Sequence, residues 1–149
     1  MKLVVFLFIG IMAFSCGTKK NAKKNGKMNA ITATIANQEM DQKTDAFTIN
    51  SVEVVGNIMN IDISYSGGCQ EHEFTMTGSS VISKSLPPIR SVQLIHNANG
   101  DTCREMKTKT VAINIELMAY KQDEGSEIYL NLVGWKDRIS YKYDTGPEK

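Results

Sequence analysis

At 149 residues the chain is long enough for one domain and short for two. Its formal net charge of +1 hides an uneven split: six of the 17 basic residues (Lys2, Lys19, Lys20, Lys23, Lys24 and Lys27) precede Met28, and all 16 acidic residues follow it. The remainder carries a net −5, which argues against nucleic acid, since that binding wants a basic domain face.

Lys2 is followed by an uncharged apolar run from Leu3 to Phe14 and then by Ser15-Cys16. A positive start, a short apolar core and a small residue before the cut describe a secretory signal. The run is too short for a membrane-spanning helix, which needs about 20 apolar residues. Ala13-Phe14-Ser15-Cys16 resembles the lipobox of bacterial lipoproteins, although Phe14 stands where a small residue is usual and no Leu lies three before the cysteine. Looser boxes of this kind are familiar from Bacteroidota. The resemblance implies a signal peptide over 1–15 and a diacylglycerol on Cys16. Each buried CH₂ of such a lipid contributes about 0.8 kcal/mol, so two or three acyl chains would hold the chain on a membrane.

Residues 16–28 read as the lipidated cysteine and a flexible, Lys-rich linker, because the stretch is polar, like-charged and without periodicity. Its lysines can also touch anionic lipid. In Bacteroidota an acidic stretch after the lipid cysteine resembles the signal for display on the cell surface. A basic one points instead to the periplasm.

From residue 29 onward alternation dominates. Ile31 to Ala36 alternates weakly. Val52, Val54 and Val55 precede Gly56-Asn57, and Met59, Ile61, Ile63 and Tyr65 alternate after it, which predicts a β-hairpin. Ser66-Gly67-Gly68 ends that strand. His72, Phe74 and Met76 share one face of the next, and Pro87-Pro88 interrupts the chain. Val92, Leu94 and His96 share a face before the turn cluster Asn97 to Asp101. A strand from Cys103 to Lys107 is expected to pair back across that turn. Val111 to Leu117, Ile128 to Leu132 and Ile139 to Tyr143 supply three further period-two runs. Only 38–45 and 118–124 leave room for a short helix.

Seven to nine strands with polar turns predict one all-β domain over 29–149. The expected architecture is an antiparallel, immunoglobulin-like β-sandwich, with a small barrel as the alternative.

Setting Cys16 aside leaves Cys69 and Cys103, an even pair in an exported domain, where an oxidising compartment favours a disulfide. Closing that loop contributes roughly 4 kcal/mol on the chain-entropy view. Both histidines lie beside these cysteines, so Cys69, His72, His96 and Cys103 form the alternative: a tetrahedral zinc or copper site. The two readings exclude each other, because a disulfide removes the thiolates. Each histidine also falls in register with apolar neighbours, which favours a hydrogen-bonded residue at the core rim over a ligand.

Asn97-Ala-Asn-Gly-Asp101 resembles the start of a calcium loop but lacks its first Asp and closing Glu, and a plain turn is favoured. Trp135 is either an exposed binding aromatic or a packing residue on the far face of a sheet. Glu71 and Glu73 share the solvent face of a strand. The sequence contains no Gly-rich phosphate loop, no G-x-S-x-G and no H-E-x-x-H.

Tyr65-Ser-Gly-Gly-Cys69-Gln-Glu-His72-Glu-Phe74, Pro87-Pro88, Leu94-Ile-His96-Asn-Ala-Asn-Gly-Asp101-Thr-Cys103 and Leu130-Asn-Leu-Val-Gly-Trp135 together resemble small exported lipoproteins of Bacteroidota. That resemblance implies compartment and a β-rich domain, and no chemistry. The expected protein is a non-enzymatic, cofactor-free, lipid-anchored component of the cell envelope. Its expected contacts are the membrane, through the lipid, and an envelope protein or ligand that the sequence does not name.

Overall fold

In a computed structural model of the chain, residues 30–37 and 40–146 are described. The signal-like segment, Cys16 and the Lys-rich stretch lie outside them. Nine strands run in order: β1 (Ile31–Thr32), β2 (Thr34–Ala36), β3 (Thr48–Val55), β4 (Ile58–Gly67), β5 (Glu73–Ile82), β6 (Ile89–Asn97), β7 (Glu105–Asn114), β8 (Glu127–Leu132) and β9 (Ile139–Lys142). A single 3-10 turn, Glu116–Met118, links β7 to β8.

The strands form two open sheets, β1-β7-β4-β3 and β2-β5-β6-β8-β9. Neither closes on itself, so the sandwich holds and the barrel does not. Both sheets are mixed where purely antiparallel ones were expected: β1 pairs with β7, β2 with β5 and β6 with β8 in parallel. The first two parallel pairs have one cause. The chain enters along the edge of one sheet, turns through the fully buried Ala33 and continues along the edge of the other. A segment that changes sheets in this way pairs with part of each edge.

The period-two runs read from the sequence make up the core. Met59, Ile61 and Ile63 of β4 face Met76, Leu94, Leu130 and Leu132 of the opposite sheet. The β3–β4 hairpin forms as expected, with Val55 opposite Ile58 and Gly56 at φ 57° in its turn. Asn99-Gly100 differs in having a positive φ at both positions (52° and 74°).

Two local expectations fail. Cys103 to Lys107 does not pair back on β6; β7 crosses to the other sheet and pairs with β4 along its whole length, from Gly67↔Glu105 to Ile58↔Asn114. The two runs at 103–107 and 111–117 are therefore one strand, and it stops at Asn114, whose side chain accepts the Glu116 N–H and starts the 3-10 turn. No helix forms over the described part of 38–45; Gln93 instead holds the Gln42 backbone through two hydrogen bonds. No helix among the described residues is long and apolar enough to cross a membrane.

Arg90 is buried, and its guanidinium donates to the carbonyls of Ser79, Met118 and Ala119. Burial pulls its pKa down, since no carboxylate among these contacts offsets the desolvation. Its three bonds tie the 3-10 turn to the bulged end of β5.

Truncation should separate core from surface. Ile61 is fully buried, whereas Leu86 is 98 % exposed. Ile61→Ala is expected to cost about 2–5 kcal/mol and Leu86→Ala less than about 0.5 kcal/mol, read as shifts in urea midpoint at constant slope.

Candidate functional site

The densest polar cluster lies at one end of the sandwich, where β4 hands the chain to β5 and β6 hands it to β7. Cys69 sits in the first crossing and Cys103 in the second, and the two are joined by a disulfide with their Cα atoms 5.8 Å apart. This corrects the metal reading. A disulfide sulfur carries no thiolate charge, so Cys69, His72, His96 and Cys103 do not offer four ligands.

The histidines are committed as well. His72 Nδ1 lies 2.7 Å from His96 Nε2, and His72 Nε2 lies 3.1 Å from Asp101 Oδ2. Both rings are buried. The proton inventory follows from the carboxylate, which only accepts. With both rings neutral, His72 donates from Nε2 to Asp101 and accepts at Nδ1 from His96 Nε2–H. That leaves His96 Nδ1 as a buried lone pair without a hydrogen-bond partner. The rings also stack: Phe74 lies on His96 at 4.7 Å and 5°, and Tyr65 reaches across from β4 to His72 at 4.7 Å and to His96 at 5.2 Å. Alternation places His72 and His96 in the apolar register, and the pair forms because Phe74 and His96 are cross-strand neighbours.

Asp101 is the centre of the cluster, a role that neither the turn nor the calcium-loop resemblance of Asn97 to Asp101 signals. Its Oδ2 accepts three consecutive backbone N–H groups, from Gly68 (2.8 Å), Cys69 (2.9 Å) and Gln70 (3.0 Å), besides His72. Its Oδ1 accepts the Cys103 N–H at 2.8 Å. Three successive N–H groups aimed at one point form an anion nest, here filled by the protein's own carboxylate. Gly68 makes the nest possible with φ 125°, a conformation that side chains disfavour. Gly67 is needed for space: a Cβ there would lie 2.5 Å from the His72 ring. The Gly-Gly step before Cys69 was the available sequence signal. On its own it signals only the end of a strand, because the acid that fills the nest lies more than 30 residues away.

The electrostatics follow from these bonds. The Cys103 N–H, then those of Gln70 and Cys69 together with His72, hold the Asp101 carboxyl well below the usual carboxylate range against the opposing effect of burial. Burial first, and the neighbouring His72 second, push His96 below the ordinary imidazole value; carbonyls of Ala46 and Asp45 and the Asp45 carboxylate oppose them.

The remaining sequence candidates lie elsewhere. Trp135 is half-buried and packs against the core, as the packing alternative had it. Glu71, just before β5, and Glu73, its first residue, are exposed, and Asn97 to Asp101 is a turn closed by the Asp101 N–H to the Ala98 carbonyl. A cleft of about 530 Å³ opens beside His72, between β5 and β7, with Phe74, Val111 and Lys109 among its lining residues.

The geometry defines an open two-sheet sandwich whose cysteines, histidines and central acid are bonded to one another. Residues 29–144 match the family described as the NigD-like C-terminal beta sandwich domain, and the chain belongs to that family. Among solved structures, a NigD-like immunity protein from Bacteroides caccae superposes with a TM-score of 0.52 at 17% identity, over 75% of this chain and 58% of that one. A protein of unknown function from Bacteroides vulgatus gives 0.49 at 14% identity, over 78% and 58%. A toxin-related protein from Parabacteroides distasonis gives 0.48 at 17% identity, over 78% and 62%. The chain thus spans little more than half the length of these neighbours. No curated protein matches it. The family and the Bacteroides caccae fold agree with the resemblance to small Bacteroidota proteins.

Two tests follow from this geometry. Replacing both Cys69 and Cys103 with Ser is expected to lower stability by roughly 4 kcal/mol, read by urea unfolding without reductant. The second is acid sensitivity. His96 has a depressed folded pKa, so the unfolded chain binds its proton first, and stability falls as pH drops below about 6.5. Asp101 is also depressed, so its contribution is present above about pH 3.9 and is lost as pH falls below that value. The urea midpoint should therefore fall in two stages, and Asp101→Asn should shrink the lower stage, to which the hydrogen-bonded Asp62 and Glu124 carboxylates also contribute, while leaving the upper one.

Proposed function

We propose that the chain is a lipid-anchored protein of the cell envelope whose β-sandwich has a non-enzymatic binding role of the immunity type. One observation carries the non-enzymatic part. Every group that would do chemistry in the densest polar cluster is already engaged: two thiols in a disulfide, two imidazoles and a carboxylate in one hydrogen-bonded chain. A nucleophile or general base needs an open face toward a substrate, and the one nitrogen left unpartnered, His96 Nδ1, is buried.

The location rests on independent supports. The disulfide suits an oxidising compartment outside the cytoplasm. The signal-like start and Cys16 supply the route and the tether. Trp135 is a poor handle for the binding surface, because it packs against the core. The immunity type is drawn from the Bacteroides caccae neighbour and from the family to which this chain belongs.

Two measurements test the reading in the native host. Radiolabelled palmitate should enter the wild-type chain and not a Cys16→Ala variant, and that variant should leave the membrane fraction. An unlabelled wild type, or a variant that stays membrane-bound, would overturn the tether. Deleting the gene should expose cells to killing by a toxic protein that wild-type cells survive, and chemical crosslinking should trap that protein on this chain. Unchanged survival together with turnover of a substrate by the purified chain would replace the binding role with an enzymatic one.

A further inference from the structure

The cleft beside His72 has an unusual wall. β1 covers β7 only at Ile113 and Asn114, and β2 covers β5 only from Thr77 to Ser79. Among the described residues no strand pairs with the outer edge of β7 from Glu105 to Ala112, nor with that of β5 from Glu73 to Met76. Two bare edges therefore face one apolar opening about 530 Å³ in volume. A bare edge presents a row of backbone donors and acceptors, and the ligand that matches such a row is another extended backbone. β1 already shows the edge of β7 in that use.

The side chains select which strand fits. Lys109 stands opposite Ile63 and Val111 opposite Ile61 across the β4–β7 ladder, so Lys109 points to the core face. Its ammonium lies 5.2 Å from the centre of the Phe74 ring, spanning the opening from one sheet to the other. Lys107 is neutralised by Glu105 at 2.8 Å, whereas Lys109 has no acidic partner among the described residues. An inward lysine on an edge strand repels unselected strands and admits one that brings an acid to it. It disfavours the chain's own upstream segment, which carries Lys23, Lys24 and Lys27 and no acid. It also disfavours a second copy, which would bring the same lysines to the same edge.

We infer that the open edge of β7 takes an acidic, extended segment of a partner protein as an added strand. Its inward face carries an acidic residue against Lys109 and, two positions along, an apolar residue against Phe74 and Val111. The inference rests on the binding role proposed above and specifies its surface.

The test uses the full mature chain in detergent and three fluorescent peptides. TETVTET places Glu, Val and Glu on one strand face, TKTVTKT reverses its charge, and TEPVTET blocks backbone pairing. TETVTET is expected to bind at least about tenfold more tightly than either control. It should also slow amide exchange from Glu105 to Ala112 by about tenfold. Lys109→Glu should invert the preference toward TKTVTKT. Equal binding of TEPVTET would show that the edge is not used, and equal binding of TKTVTKT that Lys109 does not select. Amides already protected in the free chain would mean that another segment or a second copy covers the edge. Each of these results overturns the inference. If Lys109→Glu does not fold, the three peptides on the wild type decide alone. Failure of all three while an envelope partner still crosslinks would sink this inference and leave the binding role standing.

Discussion

The Asp101 carboxylate is the constraint on which this end of the molecule depends. The chain passes between the two sheets twice here, once from β4 to β5 and once from β6 to β7. Asp101 belongs to the second crossing and binds three successive N–H groups of the first. The Cys69–Cys103 disulfide joins the same two crossings covalently. A loop that leaves a sheet loses its ladder partners, and its backbone groups must find others. One acid supplies them for Gly68, Cys69, Gln70 and Cys103 together.

The histidine pair extends this latch into the core. Asp101 orients His72, His72 orients His96, and His96 lies flat on Phe74. Polar groups this deep are stable only when each finds a partner, and here one nitrogen, His96 Nδ1, does not. The same low-dielectric setting disfavours a charge on His96, which makes the latch sensitive to acid. Residue types that suggest catalysis or metal binding thus serve to hold two loops together.

The opposite character belongs to the side of the sandwich bounded by β5 and β7. There the strand that changes sheets is too short to cover both edges, and the core faces water past a single lysine. One flank is over-determined by a covalent bond and a hub of hydrogen bonds. The other keeps backbone groups and an apolar mouth available. The proposed added strand falls on the second, where backbone groups are still unpaired among the described residues.

Much of this was legible in the sequence, for local reasons. Period-two alternation in β4, β6 and β8 needs only the pleat of a strand, so the core residues Met59, Ile61, Ile63, Val92, Leu94, Leu130 and Leu132 could be read directly. The Gly56-Asn57 turn and the Cys69–Cys103 pair were equally plain, the pair because only two cysteines remain once Cys16 is set aside. Alternation does not say which strand lies beside which. It could not show that β7 leaves β6 to pair with β4, or that β1 and β2 run parallel to their neighbours. Nor could it reveal that Asp101 fills a nest more than 30 residues away, or that Lys109 turns inward over Phe74. Those contacts exist only once two distant crossings meet. The sequence by itself determined which faces are apolar, because burial acts residue by residue. Tertiary structure decided which edges are sealed and which stay open, because hydrogen-bond partners for an edge come from elsewhere in the chain.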